Sequence, residues 1–260
     1  MLLSSTMKKT FFLLLLFSLL PSWGISEKMT IAADPWLPFT GEQKEGKQGY
    51  LIEIAKAIFE PLGIEVDYQT MPWARSIEEG RKGTIQAIAG AYKTDAPDFI
   101  FSQKPQGQLK ECFYVLKGNR WRYQDLPSLE SISLGVVNGY SYGEKLDQYI
   151  EQNKTNPKRI QILSGEKALE SNLLKLQKKR IEALVEGETV MTYFLNDQNL
   201  KIDLQEAGVN TVHEVYIAFS PKNKESKKYA KLLDEGIQKL RLSGKLKAIL
   251  DSYGILDWAP

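Results

Sequence analysis

The chain has very little sulfur and almost no imidazole: one cysteine, Cys112, and one histidine, His213, among 260 residues. One cysteine excludes an internal disulfide, and a fold of this size needs none because its own core suffices. Cys112 lies in the strand-like run Cys112-Phe113-Tyr114-Val115 and reads as a buried, inert thiol. One His and one Cys cannot build a His/Cys metal site, and no carboxylate spacing resembles a calcium loop. The expected metal and cofactor content is none. There is no G-x-x-x-x-G-K-[ST] run, so nucleotide hydrolysis lacks its phosphate cradle. Internal repeats and low-complexity tracts are also missing.

Net charge is the next thing in short supply. The formal value is +2, from 34 basic and 32 acidic residues. Lys8 and Lys9 precede Phe11–Leu20, an almost pure Leu/Phe run, followed by Pro21 and small residues. A positive start, a short apolar stretch and a small-residue cleavage zone describe a secretory signal peptide. The run is too short to span a bilayer. Met1 and Met7 are both possible starts, and cleavage fits after Gly24 or Ser26, with Ser26 preferred. No cysteine lies near the cleavage zone, which argues against a lipid anchor. Cleavage removes two of the 34 basic residues and no acid, leaving both signs at 32. A near-neutral mature chain has no field that argues for nucleic acid or stable membrane insertion. The expected location is the periplasm.

The part around which the chain is organised is Met71–Ser102. Trp73 and Arg75 open a short helix, Ala74–Lys82, which Gly83 ends. The compact apolar run Ile85–Ala89 reads as a buried strand. It runs into the loop Gly90-Ala91-Tyr92-Lys93-Thr94. Open α/β sheets place ligands beyond the carboxyl ends of such strands.

Before it, Met29–Ala33 is a strand, and Asp34-Pro35-Trp36-Leu37-Pro38-Phe39 is a proline-stiffened loop. A helix with Leu51, Ile52, Ala55, Ile58 and Phe59 at helical spacing follows, then the alternating strand Ile64–Tyr68. The first hundred residues thus read β–α–β–α–β, a parallel sheet with covering helices. Gln108–Leu116 is strand-like. Lys117–Glu130 reads as a crossing into a second domain. That domain has strands at Ile132–Val137, Arg159–Leu163 and Ile181–Val185. Its helices are Glu144–Gln152, one capped by Ser164, and Thr189–Leu195. Glu214–Phe219 leads back to two final helices, Lys224–Arg241 and Gly244–Ser252. The expected division is 1–26 signal, 27–115 first lobe, 116–213 inserted second lobe and 214–260 return. The fold class is α/β, two Rossmann-like lobes with a hinge, and clefts between lobes are preferred ligand sites.

These pieces resemble the periplasmic solute-binding proteins of the amino-acid type, extracellular family 3, with the type II periplasmic-binding fold. The resemblance rests on Asp34-Pro35-Trp36 with Phe39, Gly49–Phe59, Pro72-Trp73, Gly90–Thr94, and Phe101-Ser102 with Pro105. In the second lobe and tail it rests on Leu134–Val137 with Gly139–Gly143, Arg180–Glu186, Val215–Ser220, Lys231–Ile249 and Tyr253-Gly254. It implies a non-catalytic monomer that captures a small polar solute, an amino acid or related anion, for a membrane permease or sensor. It also implies roles. Trp36 stacks on the ligand, Gly90–Tyr92 offer backbone donors, Ser141 touches an anionic group, and an acid after Ile181–Val185 pairs an amine.

Two departures count against an ordinary amino acid. Members that bind one carry an Arg a few residues beyond the equivalent of Thr94, but this chain has Asp95-Ala96-Pro97-Asp98. The usual amine-binding acid falls nearest Gly187, between Glu186 and Glu188. Arg75 and Lys93 are the cations left to replace the Arg. The full candidate ligand set is Asp34, Trp36, Phe39, Trp73, Arg75, Gly90, Ala91, Tyr92, Lys93, Tyr140, Ser141, Tyr142 and Glu186. The same fold also serves cyclohexadienyl-dehydratase-like enzymes, in which an acid such as Glu186 or Glu188 moves a proton. Gly139-Tyr140-Ser141-Tyr142-Gly143 formally matches a nucleophile elbow, but no oxyanion-hole glycine run accompanies it. The loop reads better as a helix N-terminus that holds an anion.

Overall fold

The computed structural model describes residues 27–43, 46–164, 167–198 and 200–259. The signal-peptide reading falls on residues 1–26, outside the described residues. β1 (Glu27–Ala33) is apolar and buried from Met29 onward except at Thr30, as a strand covered on both faces must be. It pairs in parallel with β2 (Ile64–Thr70) and β3 (Ala87–Ala91). α1 (Tyr50–Phe59) and α2 (Trp73–Lys82) connect these strands. The turn into α1 requires Gly49, at φ +92°, because a Cβ there would lie 2.4 Å from the Phe39 carbonyl oxygen.

A short strand β4 (Ile100–Phe101) precedes β5 (Gly107–Leu116). The chain continues through a 3-10 turn at Leu126–Ser131, whose start Asp125 caps by accepting from the Ser128 N–H. Then come β6 (Leu134–Val137), α3 (Glu144–Asn153), β7 (Ile160–Leu163), α4 (Ala168–Gln177), β8 (Ala183–Gly187) and α5 (Glu188–Asp197). β9 (Leu204–Phe219), α6 (Ser226–Leu242) and α7 (Lys245–Ser252) complete the order.

β9 holds the sheet together. Its first part, Leu204 to Val215, runs antiparallel to β5, and its last residues, Tyr216 to Phe219, run antiparallel to β3. The strand order is β2-β1-β3-β9-β5-β8-β6-β7, with β4 also on β9. One strand therefore belongs to both halves of the molecule. Each half has its own apolar core. Met29, Ile31, Phe59, Ile217 and Leu233 represent one, and Phe113, Leu134, Leu146 and Val185 the other.

Four expected elements change. β3 extends through Ala91, past the expected end at Ala89, because its pairing with β9 continues across an irregularity to Ala91–Tyr216. Gly90, at φ +91°, sits in that irregularity. β8 likewise reaches Gly187, which pairs with Glu111. Ser164 does not cap α4, which starts at Ala168 with Lys167 before it and no side-chain cap. β9 begins ten residues before Glu214, because its early residues pair with β5 although their mixed polar and apolar side chains show no regular alternation.

Candidate functional site

The loop after β1 is folded tightly on itself. The Trp36 N–H donates to the Thr40 carbonyl at 2.7 Å, and the Thr40 hydroxyl donates to the Asp34 carbonyl at 2.8 Å. Phe39 is fully buried and stacks under Trp36, with ring centroids 4.4 Å apart. Its expected ligand contact is therefore corrected: Phe39 is the pedestal for Trp36. The Trp36 indole also lies over Gly90 and meets Tyr92 edge-on at 6.3 Å. Its Nε1 is buried without a hydrogen-bond partner. Burial pushes the Asp34 carboxyl up to about 6, against the opposing pull of its own backbone N–H.

The loop after β3 differs from its expected use. The Tyr92 N–H donates to Asp95 Oδ2 at 3.1 Å, and the Asp95 N–H donates to the Tyr92 carbonyl. Asp95 thus takes the donor expected for a ligand. Ala91 is a fully buried strand residue. Lys93 is exposed, with its ammonium 4.6 Å from the Tyr216 ring centroid. Trp73 packs with Met71, Ile77 and Phe101 against the apolar group around Ile88 and Phe99. Arg75 is exposed on the first turn of α2, and its charge is felt by Glu79. The structure brings neither Trp73, Arg75 nor Lys93 into the group around Trp36.

On the other side, Asp147 in the first turn of α3 accepts from the Ser141 hydroxyl at 2.8 Å and from the Tyr142 N–H at 2.7 Å. The expected anion seat is thereby filled by a carboxylate of the chain itself. Tyr142 is buried in the second core, its hydroxyl accepting from the Val137 N–H. It stands behind the site rather than in its wall. Tyr140 remains 39% exposed. Burial, reinforced by the charges of Glu186 and Asp34, holds its phenol well above the usual tyrosine range. Tyr140 thus feels one carboxylate from each half.

Glu186 lies at the end of β8 and is 4% exposed. Its Oε1 accepts from the Gly187 N–H at 2.8 Å. Burial, with the Glu111 charge adding to it, pushes this carboxyl up to about 7. At Gly187 a Cβ would lie 2.3 Å from Leu109 Cδ1, so a side chain there would have to displace Leu109. Glu188 turns instead to Lys110, at 3.7 Å near the surface.

Four neighbours escaped sequence reasoning: Asp95, Glu111, Asn210 and His213. Glu111 is buried, with Oε2 accepting from Asn210 Nδ2 at 3.1 Å and Oε1 lying 3.5 Å from His213 Nε2. That pair is ionic only when His213 is protonated; as it stands, Nε2 has no hydrogen-bond partner. The His213 ring stacks on Tyr92. The one available signal was Glu111, an acid directly before the apolar run Cys112–Leu116 of its strand.

The structure therefore gathers Asp34, Trp36, Gly90 and Tyr92 from one half with Tyr140 and Glu186 from the other. Acids and aromatics dominate the group. Among the described residues no cluster of three or more His, Cys, Asp or Glu is arranged to hold a metal ion. Among them, too, no helix is long and apolar enough to cross a membrane.

Solved structures share this architecture. A histidine kinase sensor domain with similarity to periplasmic binding proteins superposes with a TM-score of 0.68 at 16% identity, covering 88% of this chain and 97% of that one. A mutant arginine-binding protein from T. maritima gives 0.65 at 19% identity, covering 87% and 94%. A putative L-cystine ABC transporter protein from Listeria monocytogenes gives 0.66 at 17%, covering 87% and 95%. At these identities the likeness establishes the fold, that of the type II periplasmic-binding proteins. No curated protein matches the sequence. The family model for bacterial extracellular solute-binding proteins, family 3, matches residues 29–255, nearly all of the described chain, and the chain belongs to that family.

Proposed function

We propose that this chain captures a small polar solute between its two lobes and delivers it to a membrane transporter or sensor outside the cytoplasm, without chemical turnover. The observation that carries this reading is Tyr140, whose phenol feels Asp34 of one lobe and Glu186 of the other. A molecule seated there touches both lobes at once. Only a closed state makes both sets of contacts, so the ligand favours closure by its differential affinity. Residues 1–26 serve export in this reading.

We place the division between lobes at about Gly107 and Val215, rather than at residue 115 and residue 213. The ladder of β5 with β9 starts at the Gly107–Val215 pair, and β9 passes to β3 at Tyr216. Solution scattering on protein stripped of ligand by partial unfolding and dialysis tests the reading. Saturating ligand is expected to shrink the radius of gyration. An unchanged radius with ligand bound removes the hinge from the account.

A second reading, a dehydratase-like enzyme on the same fold, is favoured by Glu186. A carboxyl near 7 is poised to give or take a proton at neutral pH. Such substrates carry carboxylates, and the gathered group supplies no cation to hold them. Incubation with a cyclohexadienyl acid distinguishes the two: an aromatic product establishes the enzyme, and its absence is expected.

A further inference from the structure

We propose that the ligand of this site is a small amine-bearing cation that carries no carboxylate. This deepens the solute-binding reading and rests on it. The first support is a mismatch of charges. Glu186 is 4% exposed, and among the described residues neither it nor Asp34 has an ion-pair partner. Among the described residues the only hydrogen bond Glu186 receives comes from the N–H of its neighbour Gly187, onto Oε1, and Oε2 receives none. Buried carboxylates in proteins are paired or held neutral. The upward displacement of both groups is that unpaired state expressed as proton affinity.

The second support is where the nearby cations are engaged. Arg81 grips Asp98 at the surface with bonds of 2.9 and 3.0 Å. Lys110 pairs with Glu206 at 3.1 Å and with Glu188 at 3.7 Å. Lys93 covers the Tyr216 ring. His213 faces Glu111. The helix start that would hold an anion, before α3, is already filled by Asp147. Among the described residues no cation is ion-paired with Asp34 or Glu186, so a ligand carboxylate entering this site faces unpaired acids of the chain.

The third support comes from the aromatic side chains. Trp36 Nε1 is buried without an acceptor. An unmet buried donor marks a missing acceptor, which a hydroxyl on the same molecule would supply. The exposed ring of Tyr140 suits the body of an organic ammonium, which aromatic rings attract.

The groups facing Glu186 are Glu111 of β5, Tyr140 and Tyr142 before α3, and Tyr92 after β3. Those facing Asp34 are Tyr68 of β2 and Tyr140. None of them is a cation, so protonation of Asp34 and Glu186 removes the attraction for the ligand. Amine affinity therefore falls as pH is lowered from 8 to 5.

The test uses matched pairs that differ by one carboxylate: ethanolamine against serine, tyramine against tyrosine, agmatine against arginine. Glutamate and succinate form an anionic arm. Calorimetry and thermal melting on the exported, ligand-stripped chain read the result. At least one amine is expected to bind about tenfold or more tighter than its amino acid. Glu186→Gln and Asp34→Asn are each expected to weaken that amine about tenfold, with circular dichroism unchanged. If an amino acid or a dicarboxylate binds and the amines do not, the amine assignment falls while solute binding stands. Amine affinity that is equal in both variants and flat with pH also overturns it. Silence from every probe overturns the assignment and the solute-binding reading together.

Discussion

Tyr92 lies flat on His213, with ring centroids 4.3 Å apart and planes 10° from parallel. Tyr92 follows β3, whereas His213 lies in the part of β9 that pairs with β5. The stack therefore joins the two halves beside the gathered carboxylates. A double-mutant cycle with Tyr92→Leu and His213→Leu, read by chemical denaturation at pH 8, is expected to give a coupling of about 0.5–1.5 kcal/mol. Additive single effects would show that the rings touch without supporting each other.

Glu186 makes stability depend on pH in a particular direction. Its folded-state pKa, about 7, lies above the ordinary value of 4.5. The folded chain therefore binds the proton more tightly than the unfolded chain. The resulting stability is fully present below pH 4.5 and is lost as pH rises through 7. Without ligand, Glu186→Gln is expected to be more stable than the parent at pH 8, by up to roughly 3 kcal/mol, and about equal at pH 4. Urea denaturation at both pH values measures this. Equal stability at pH 8 would mean that Glu186 finds a cation or solvent when ionised.

Gly187 stands where the family's amine-binding acid is expected, and the reason is steric. A Cβ there meets Leu109 Cδ1 at 2.3 Å, and Leu109 is itself buried. Gly187→Ala is expected to cost about 1–3 kcal/mol by overpacking. Adding Leu109→Ala should recover part of that loss relative to Leu109→Ala alone. A thermal melt that shows Gly187→Ala unchanged would mean that β5 and β8 separate easily at this point.

Export gives the last prediction. The Lys8–Leu20 segment and the small residues after Pro21 predict a mature chain that begins after Ser26. N-terminal sequencing of protein recovered from the periplasm of a Gram-negative host checks it. A chain that still begins at Met1 or Met7 would falsify the signal-peptide reading.

The order of strands and helices was legible in the sequence because periodicity and turn residues are local signals. Leu51, Ile52, Ala55, Ile58 and Phe59 carry a helical stripe, and α1 spans them. Pieces such as Asp34-Pro35-Trp36 and Gly139–Gly143, taken in order, were enough for the family. The candidate site was legible only in part. Trp36, Tyr92, Tyr140 and Glu186 came together, and each lies in or beside the end of a strand where open sheets expose side chains.

What tertiary structure alone decided was which polar groups were already engaged. Ser141 and the Tyr142 N–H go to Asp147, and the Tyr92 N–H goes to Asp95. Residue type and spacing cannot show such a partner, because satisfaction of a donor depends on where a loop folds back. The fully buried Phe39 and the packed Trp73 were lost for a similar reason: an aromatic beside proline packs inward or faces the cleft by the same local rules. Glu111 and His213 became neighbours only through the pairing of β5 with β9, across about a hundred residues of chain. Composition established that the chain is close to neutral, at a formal +2. Only the fold determined that Glu186 is buried without an ion-pair partner among the described residues.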